Sequence, residues 1–390
     1  MSASASATVP VNLDYAASTP MRSVAIEAQA DYDRSDIAGA NPNSLHTLGR
    51  RAALALEGAR RDIAASLGPR VRSHEIVFTG GGTEANHLAL LGIAEGARDR
   101  DRRRNRVVVS AIEHDSILDN LGLLRDAGFD VTTVTPDSSG VVSPDTLARA
   151  IDDGVALVSI MLANNETGVI QPVADLARVA HGAGARFHID AIQGYLHIPI
   201  DVDELGVDAL TLAGHKVGAP VSIGALYLRS RTPLRPQLFG GGQESGRRPG
   251  TQDVRSALAL SAVARTLAPT VEQDRIRLQQ HADALYRRLC EHPSIVATMG
   301  DWEHVDRLPG LVSVAVLGAD SEELILQLDA RGFAVSAGSA CSSGSNDASH
   351  VLTAMGLPKD RALGALRISF DDRVDARDLD CFADALLGLL

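Results

Sequence analysis

EIVFTGGGTEANHLALLGIAEG, residues Glu75 to Gly96, passes from a short apolar run through three glycines into an amphipathic stretch. That order reads as a buried strand, a tight turn and a helix. The same unit recurs along the chain. RVVVS (Arg106 to Ser110), DVTTV (Asp130 to Val134), ALVSI (Ala156 to Ile160), RFHID (Arg186 to Asp190), DALTL (Asp208 to Leu212) and GALYL (Gly224 to Leu228) read as further strands. Segments such as SILDNLGLLRDAG and VADLARVAHGAG between them have helical periodicity. Such alternation implies an α/β fold, a mainly parallel sheet with helices on both faces. Ligands of these sheets gather at the carboxyl ends of the strands.

Beyond Gln252 the texture changes. A helical stretch from Val254 to His292, broken at Pro269, precedes LVSVAVL (Leu311 to Leu317), a helix near Ser321 to Arg331, the strand ALRISF (Ala365 to Phe370) and a closing helix after Ala376. This reads as a smaller α+β domain. The expected division is a large domain over residues 20–262 and a small one built from 1–19 and 263–390.

The 390 residues are 45% hydrophobic and 22% charged, which suits a globular protein, while aromatics at 3% leave the cores to Ala, Val, Leu and Ile. A net charge of -12 argues against direct binding of nucleic acid, which rests on neutralised phosphates. The one basic run, RDRDRRRNR (Arg98 to Arg106), reads as a solvated linker. MSASASATVP lacks the basic start and apolar stretch of a signal peptide, and FADALLGLL is too short to span a bilayer. No membrane association is expected, and a reducing cytoplasm is. Three widely spaced cysteines make no disulfide framework. Cys290 and Cys381 lie in helical patterns and read as buried, inert thiols. Cys341 lies in SAGSACSSGS (Ser336 to Ser345), where there is nothing for a core to pack on.

Four strand ends in the large domain are polar. TGGGTEAN (Thr79 to Asn86) offers backbone N–H groups at a helix start, with Gly82 and the Thr83 hydroxyl, as an anion cradle. A plain strand-to-helix turn would look the same. IEHDS puts His114 after a strand, where capping or packing is the commoner use. HIDAIQG ends a strand with Asp190, three residues before Gln193, and a helix cap is again the ordinary reading. LAGHKVGAP sets Lys216 among small and apolar residues with no acidic neighbour within three positions. Together, a phosphate cradle, a carboxylate, a ring that can stack and a poorly compensated lysine fit pyridoxal 5'-phosphate, which needs a Schiff-base lysine and an acid partner for its ring nitrogen.

The chain resembles the cysteine desulfurases of the class V aminotransferase group, in the branch with a long cysteine-bearing loop. The resemblance rests on NLDYAASTP, NPNSLHTLGR, FTGGGTEAN, EH, NNETGVIQ, HIDAIQ, GHK, FGGGQE, RPGT, SAGSACSSGS and ALRISF, in family order over nearly the whole length. It implies a fold-type I pyridoxal-phosphate enzyme that turns L-cysteine into L-alanine, leaving the sulfur as a persulfide on Cys341 for an acceptor or scaffold protein. Iron–sulfur assembly, tRNA thiolation and DNA phosphorothioation are the acceptor pathways it suggests. Lys216 would carry the cofactor, Asp190 would pair with the pyridine nitrogen, and His114 would stack on the ring and shuttle protons. Asn165 and Gln193 would lie near the ring hydroxyl, with Asn165 also near the substrate. Thr83 and His215 would hold the phosphate, and Thr251 would reach it from the partner subunit of a homodimer. Arg367 would clamp the substrate carboxylate.

Some positions depart from the family pattern. Ala213 stands where a phosphate-binding serine is usual, with Thr211 or a water as the expected substitute. Ser245 follows GGGQE where arginine is usual, Pro249 stands in Arg248-Pro249-Gly250-Thr251 where the family has serine, and Asp371-Asp372-Arg373 replace a glycine-arginine pair. A selenocysteine lyase or another class V enzyme would share the fold. An idle scaffold subunit would typically lack the lysine, the loop cysteine or the arginine, and all three are present.

Overall fold

The computed structural model of the chain describes residues 10–338 and 348–390. Thirteen strands are described: β1 (Val11–Asn12), β2 (Ile76–Thr79), β3 (Arg106–Ser110), β4 (Asp130–Val134), β5 (Val155–Ser159), β6 (Arg186–Asp190), β7 (Ala209–Ala213), β8 (Gly224–Leu228), β9 (Ile295–Ala297), β10 (Leu311–Val316), β11 (Phe333–Ala334), β12 (Ser336–Ala337) and β13 (Ala365–Ser369). Seven of them form one sheet in the order β2-β8-β7-β6-β5-β3-β4. Only β8 runs against its neighbours. The sheet is thus mainly parallel, as the alternating pattern implies, and six carboxyl ends point the same way.

Side chains alternate across this sheet because successive Cβ atoms point to opposite faces. Ile76 and Phe78 join the core on one face, with Phe187, Ile189, Leu210 and Leu212. Val77 joins the other, with Val107, Val109, Leu226 and the helix Gly82–Arg100. One polar rung crosses the middle: buried His188 bonds Ser159 Oγ at 2.8 Å and Thr211 Oγ1 at 3.0 Å. Burial holds the His188 imidazole down to about 3, so it bridges the strands as a neutral ring.

A second sheet, β12-β13-β10-β9, is antiparallel and has its own core with Tyr286, Phe382 and Leu13. β1 pairs in parallel with β11. The following segment runs back to the large sheet: Ala16 N–H donates to Ser369 Oγ, and the Thr19 hydroxyl donates to Lys216 O at 2.8 Å. Its far end is anchored by the Asp371-Asp372-Arg373 turn. Arg22 pairs with both aspartates, and Arg373 bonds Asp371 and Pro20 O.

Two readings need correction. The basic run is only in part a solvated linker: Arg100, Arg102 and Arg103 are exposed, but the other three arginines are engaged. Arg98 lies 3.9 Å over the Phe129 ring, Arg104 donates to Val155 O, and Arg106 pairs with Asp130 and Asp152. The guanidiniums tie the helix end to the strand edge because that edge offers free carbonyls and carboxylates. Cys381 is exposed, and Cys290, the last residue of the helix Val271–Cys290, is half-buried against the core of the second sheet. Among the described residues no helix is long and apolar enough to cross a membrane, and no cluster of side chains could hold a metal ion.

Candidate active site

A cavity of about 530 Å³ opens at the carboxyl ends of the parallel strands. The turn after β2 forms one wall. Gly81 has φ 135°, which favours glycine, and starts the helix at Gly82 with Thr83 facing the cavity. A Cβ on Gly82 would stand 2.3 Å from Ile192 Cδ1, so a larger residue there would force the Ile192 side chain to move. The first-turn N–H groups of this 19-residue helix make a positive end. Ala213 lines the same wall. Thr211 does not stand in for the absent hydroxyl, because it faces the sheet interior and bonds His188.

Asp190 ends β6 and is buried. Its Oδ1 accepts from Ile192 N at 2.9 Å and its Oδ2 from Asn86 Nδ2 at 2.6 Å, both neutral donors. Burial raises the Asp190 pKa, against those bonds and the charges of His114 and Lys216. His114 caps the short helix Asp115–Leu118 through Nδ1, which accepts from Ser116 N at 3.0 Å. The capping use is thus real, and the same ring lines the cavity. Glu113 beside it is fully buried; burial pushes its carboxyl up to about 8, with Ser110 Oγ and Met161 N bonded to Oε1.

Lys216 follows β7 in the turn Gly214–Lys216. Its Nζ donates to Ala16 O at 2.6 Å and Ala17 O at 2.9 Å, and Gln193 Nε2 reaches Ala16 O at 3.0 Å. His215 lies 3.3 Å from Ser18 Oγ, and burial followed by the charges of Lys216 and His114 lowers it to about 4. Arg367 enters from the small sheet in β13, near the middle of the strand. Its side chain is 2% exposed; Nη1 donates to Asn165 O at 2.9 Å and Nη2 to Asp14 Oδ1 at 3.0 Å. The buried Nε has no hydrogen-bond partner among the described residues.

The cavity therefore brings together Gly82, Thr83, His114, Asn165, Asp190, Gln193, His215, Lys216 and Arg367. It does not include Thr251, which is exposed on the segment after β8. Cys341 lies outside the described residues. Sequence reading missed Glu166 and His350 in the wall, and Asn86 and Asp14 behind it. Glu166 is buried with its carboxyl raised by burial, and its Oε2 accepts from Ser349 Oγ at 2.5 Å. His350 holds Glu113 O at 3.0 Å through Nε2. Glu166, Asn86 and Asp14 all lie inside motifs quoted above, so a signal existed, but nothing in the string says which side chains turn toward the cavity.

The aminotransferase class-V family model matches residues 11–382. The "Cysteine desulfurase IscS" of Dictyoglomus turgidum is 36% identical over 376 residues, covering 96% of this chain and 93% of that one. This chain belongs to the aminotransferase class-V family, among its cysteine desulfurases. A solved structure described as a NifS-like protein superposes with a TM-score of 0.88 at 30% identity, over 98% of this chain and all of that one. Another, described as SspA in complex with cysteine, gives 0.78 at 35% identity, over 92% of this chain and 98% of its own. Members of the family depend on pyridoxal phosphate.

Proposed function

We propose that the cavity holds pyridoxal 5'-phosphate, that the chain converts L-cysteine to L-alanine there, and that Cys341 receives the sulfur as a persulfide. The observation that supports this most is Asp190: a buried carboxyl, bonded among the described residues only to neutral donors, in a cavity that also contains Lys216. A protonated ring nitrogen would supply the missing cation. The chain has just two lysines against 35 arginines, and Lys216 is the one in the cavity wall. A guanidinium cannot lose its proton near neutral pH, whereas an amine can, so this position requires lysine.

Bound there, the cofactor supplies an electron sink for the negative charge that develops as substrate bonds break. The chain's own residues do the rest. The first-turn N–H groups after Gly81, the Thr83 hydroxyl and neutral His215 hold the phosphate. Asp190 keeps the ring nitrogen protonated, and Asn86 keeps Asp190 in place. His114, set by its cap bond, stacks on the ring and moves protons. Asn165 and Gln193 lie by the ring hydroxyl, and Lys216 Nζ anchors the cofactor and exchanges protons with substrate. Arg367 takes the substrate carboxylate through its unpartnered Nε edge. The Cys341 sulfur bonds to the substrate sulfur as the substrate Cβ–S bond breaks. Cβ then takes up the proton lost from sulfur, so alanine leaves with no oxidant consumed.

The same reading makes Thr251 part of a second copy's cavity in a homodimer, and takes residues 20–262 as the cofactor-binding domain, with 1–19 and 263–390 as the domain bearing the loop cysteine. An acceptor protein removes the persulfide sulfur. The deciding experiment measures alanine from L-cysteine, with a thiol reductant present, for the native chain and Cys341→Ala. The expected result is alanine and sulfide from the native chain and neither from the variant. Equal alanine from both would remove Cys341 from the reaction.

A further inference from the structure

Arg367 does not face the cavity as a bare cation. Asp14, in a motif to which no role has been assigned above, meets its Nη2 at 3.0 Å. Asp14 is held rigidly: its N–H donates to Asn12 Oδ1 at 2.9 Å, and its backbone bridges in parallel to Ser369, two residues beyond Arg367 on β13. Its side chain is 25% exposed and does not line the cavity, so it reaches the guanidinium from outside the wall. Asn165 O takes one hydrogen of Nη1, and the buried Nε is left for a ligand.

A buried guanidinium without a counter-ion is costly, and Asp14 removes that cost in the free enzyme. The same charge must then oppose any second carboxylate that comes to Arg367. We propose that Asp14 is a positioning and affinity-setting residue: it holds the Arg367 guanidinium in place and competes electrostatically with the carboxylate of the amino acid, limiting how tightly substrate and product are held. Nη2 already has a bond to Asp14 in the free enzyme, so an incoming carboxylate meets a paired guanidinium and not a bare one.

This inference rests on Arg367 being the carboxylate-binding residue. The test uses cofactor-loaded enzyme and titration calorimetry with two probes, L-alanine and ethylamine, which lacks the carboxylate. Asp14→Asn keeps an oxygen acceptor for Nη2 and removes the charge. L-alanine should bind the variant roughly tenfold more tightly than native, the scale of removing one like charge a few ångströms away in a partly screened site. Ethylamine should bind both alike. Unchanged or weaker L-alanine binding would overturn the inference, as would equal shifts for both probes, which mark a merely structural role. Asp14→Ser, also neutral and able to accept a bond, should shift the ratio of the two affinities in the same direction, which covers a folding defect in the first variant. If native enzyme itself shows no preference for L-alanine over ethylamine, the carboxylate role of Arg367 fails, and this inference with it.

Discussion

Glu244, in the FGGGQE stretch, accepts from Arg60 Nη1 at 2.5 Å and Nη2 at 2.8 Å, from Phe78 N at 2.9 Å and from Gln252 Nε2 at 3.2 Å. Asp190, as deeply buried at the end of β6, receives among the described residues only the amide of Asn86 and one backbone N–H. The difference separates a strut from a site. Glu244 is matched by a fork-shaped cation, and its backbone sits at φ 48°, a conformation kept because four donors hold it. Asp190 is left with a deficit of positive charge that a ligand can fill, and burial raises its pKa accordingly.

Substitutions should act oppositely in the two places. The largest effect is expected at Lys216→Arg, which keeps the charge but loses the deprotonable amine. Alanine production from L-cysteine should fall to background while the thermal midpoint stays near native. Asp190→Asn should lower kcat/KM by a factor on the order of 10² to 10⁴, as loss of an acid–base or charge-stabilising group does, with little change in folding free energy. Substantial activity in Asp190→Asn would break the contrast at the site end. Glu244→Ala breaks it from the other end: it strands Arg60 without its partner and should cost about 3–5 kcal/mol in denaturant unfolding, while the folded fraction keeps its turnover.

Two smaller effects sharpen the picture. Ala213→Ser places a hydroxyl on the phosphate wall. A bond to a charged group is worth about 1.5–3 kcal/mol, so cofactor loss on dialysis should slow at least tenfold. Glu113, with its carboxyl pushed up to about 8 from an ordinary 4.5, keeps a proton in the folded state that the unfolded chain has released. Its stabilising contribution is complete below the unfolded value and is lost as pH rises through the folded one. Between pH 5 and 8 the native chain should therefore lose stability more steeply than Glu113→Gln, as thermal melts at each pH would measure.

Much of the fold is legible in the sequence because the strands of the large sheet, the edge strand β4 apart, are buried on both faces and read as short apolar runs between turn residues. RVVVS, DVTTV, RFHID and GALYL coincide with β3, β4, β6 and β8. ALVSI and DALTL are each displaced by one residue, since a strand's ends are decided by its neighbours' hydrogen bonds and not by its own composition. The site residues at strand ends were legible for the same reason: a polar residue closing an apolar run has no core to join. The uses of the arginines were not legible. In the run Arg98 to Arg106, composition marks charge but not the carbonyls and carboxylates that folding brings within reach.

By itself the sequence determined the alternation that makes a parallel sheet, the place of Lys216, Asp190 and His114 at its carboxyl ends, and the family. These follow from local periodicity and from residues whose chemistry is written in their own side chains. Tertiary structure alone decided the partners. Asn86 meets Asp190 across 104 residues of sequence, and Asp14 meets Arg367 across 353. Whether a buried charge is matched, opposed or left waiting depends on atoms a few ångströms away in space. No local pattern specifies them, because the chain folds back between them.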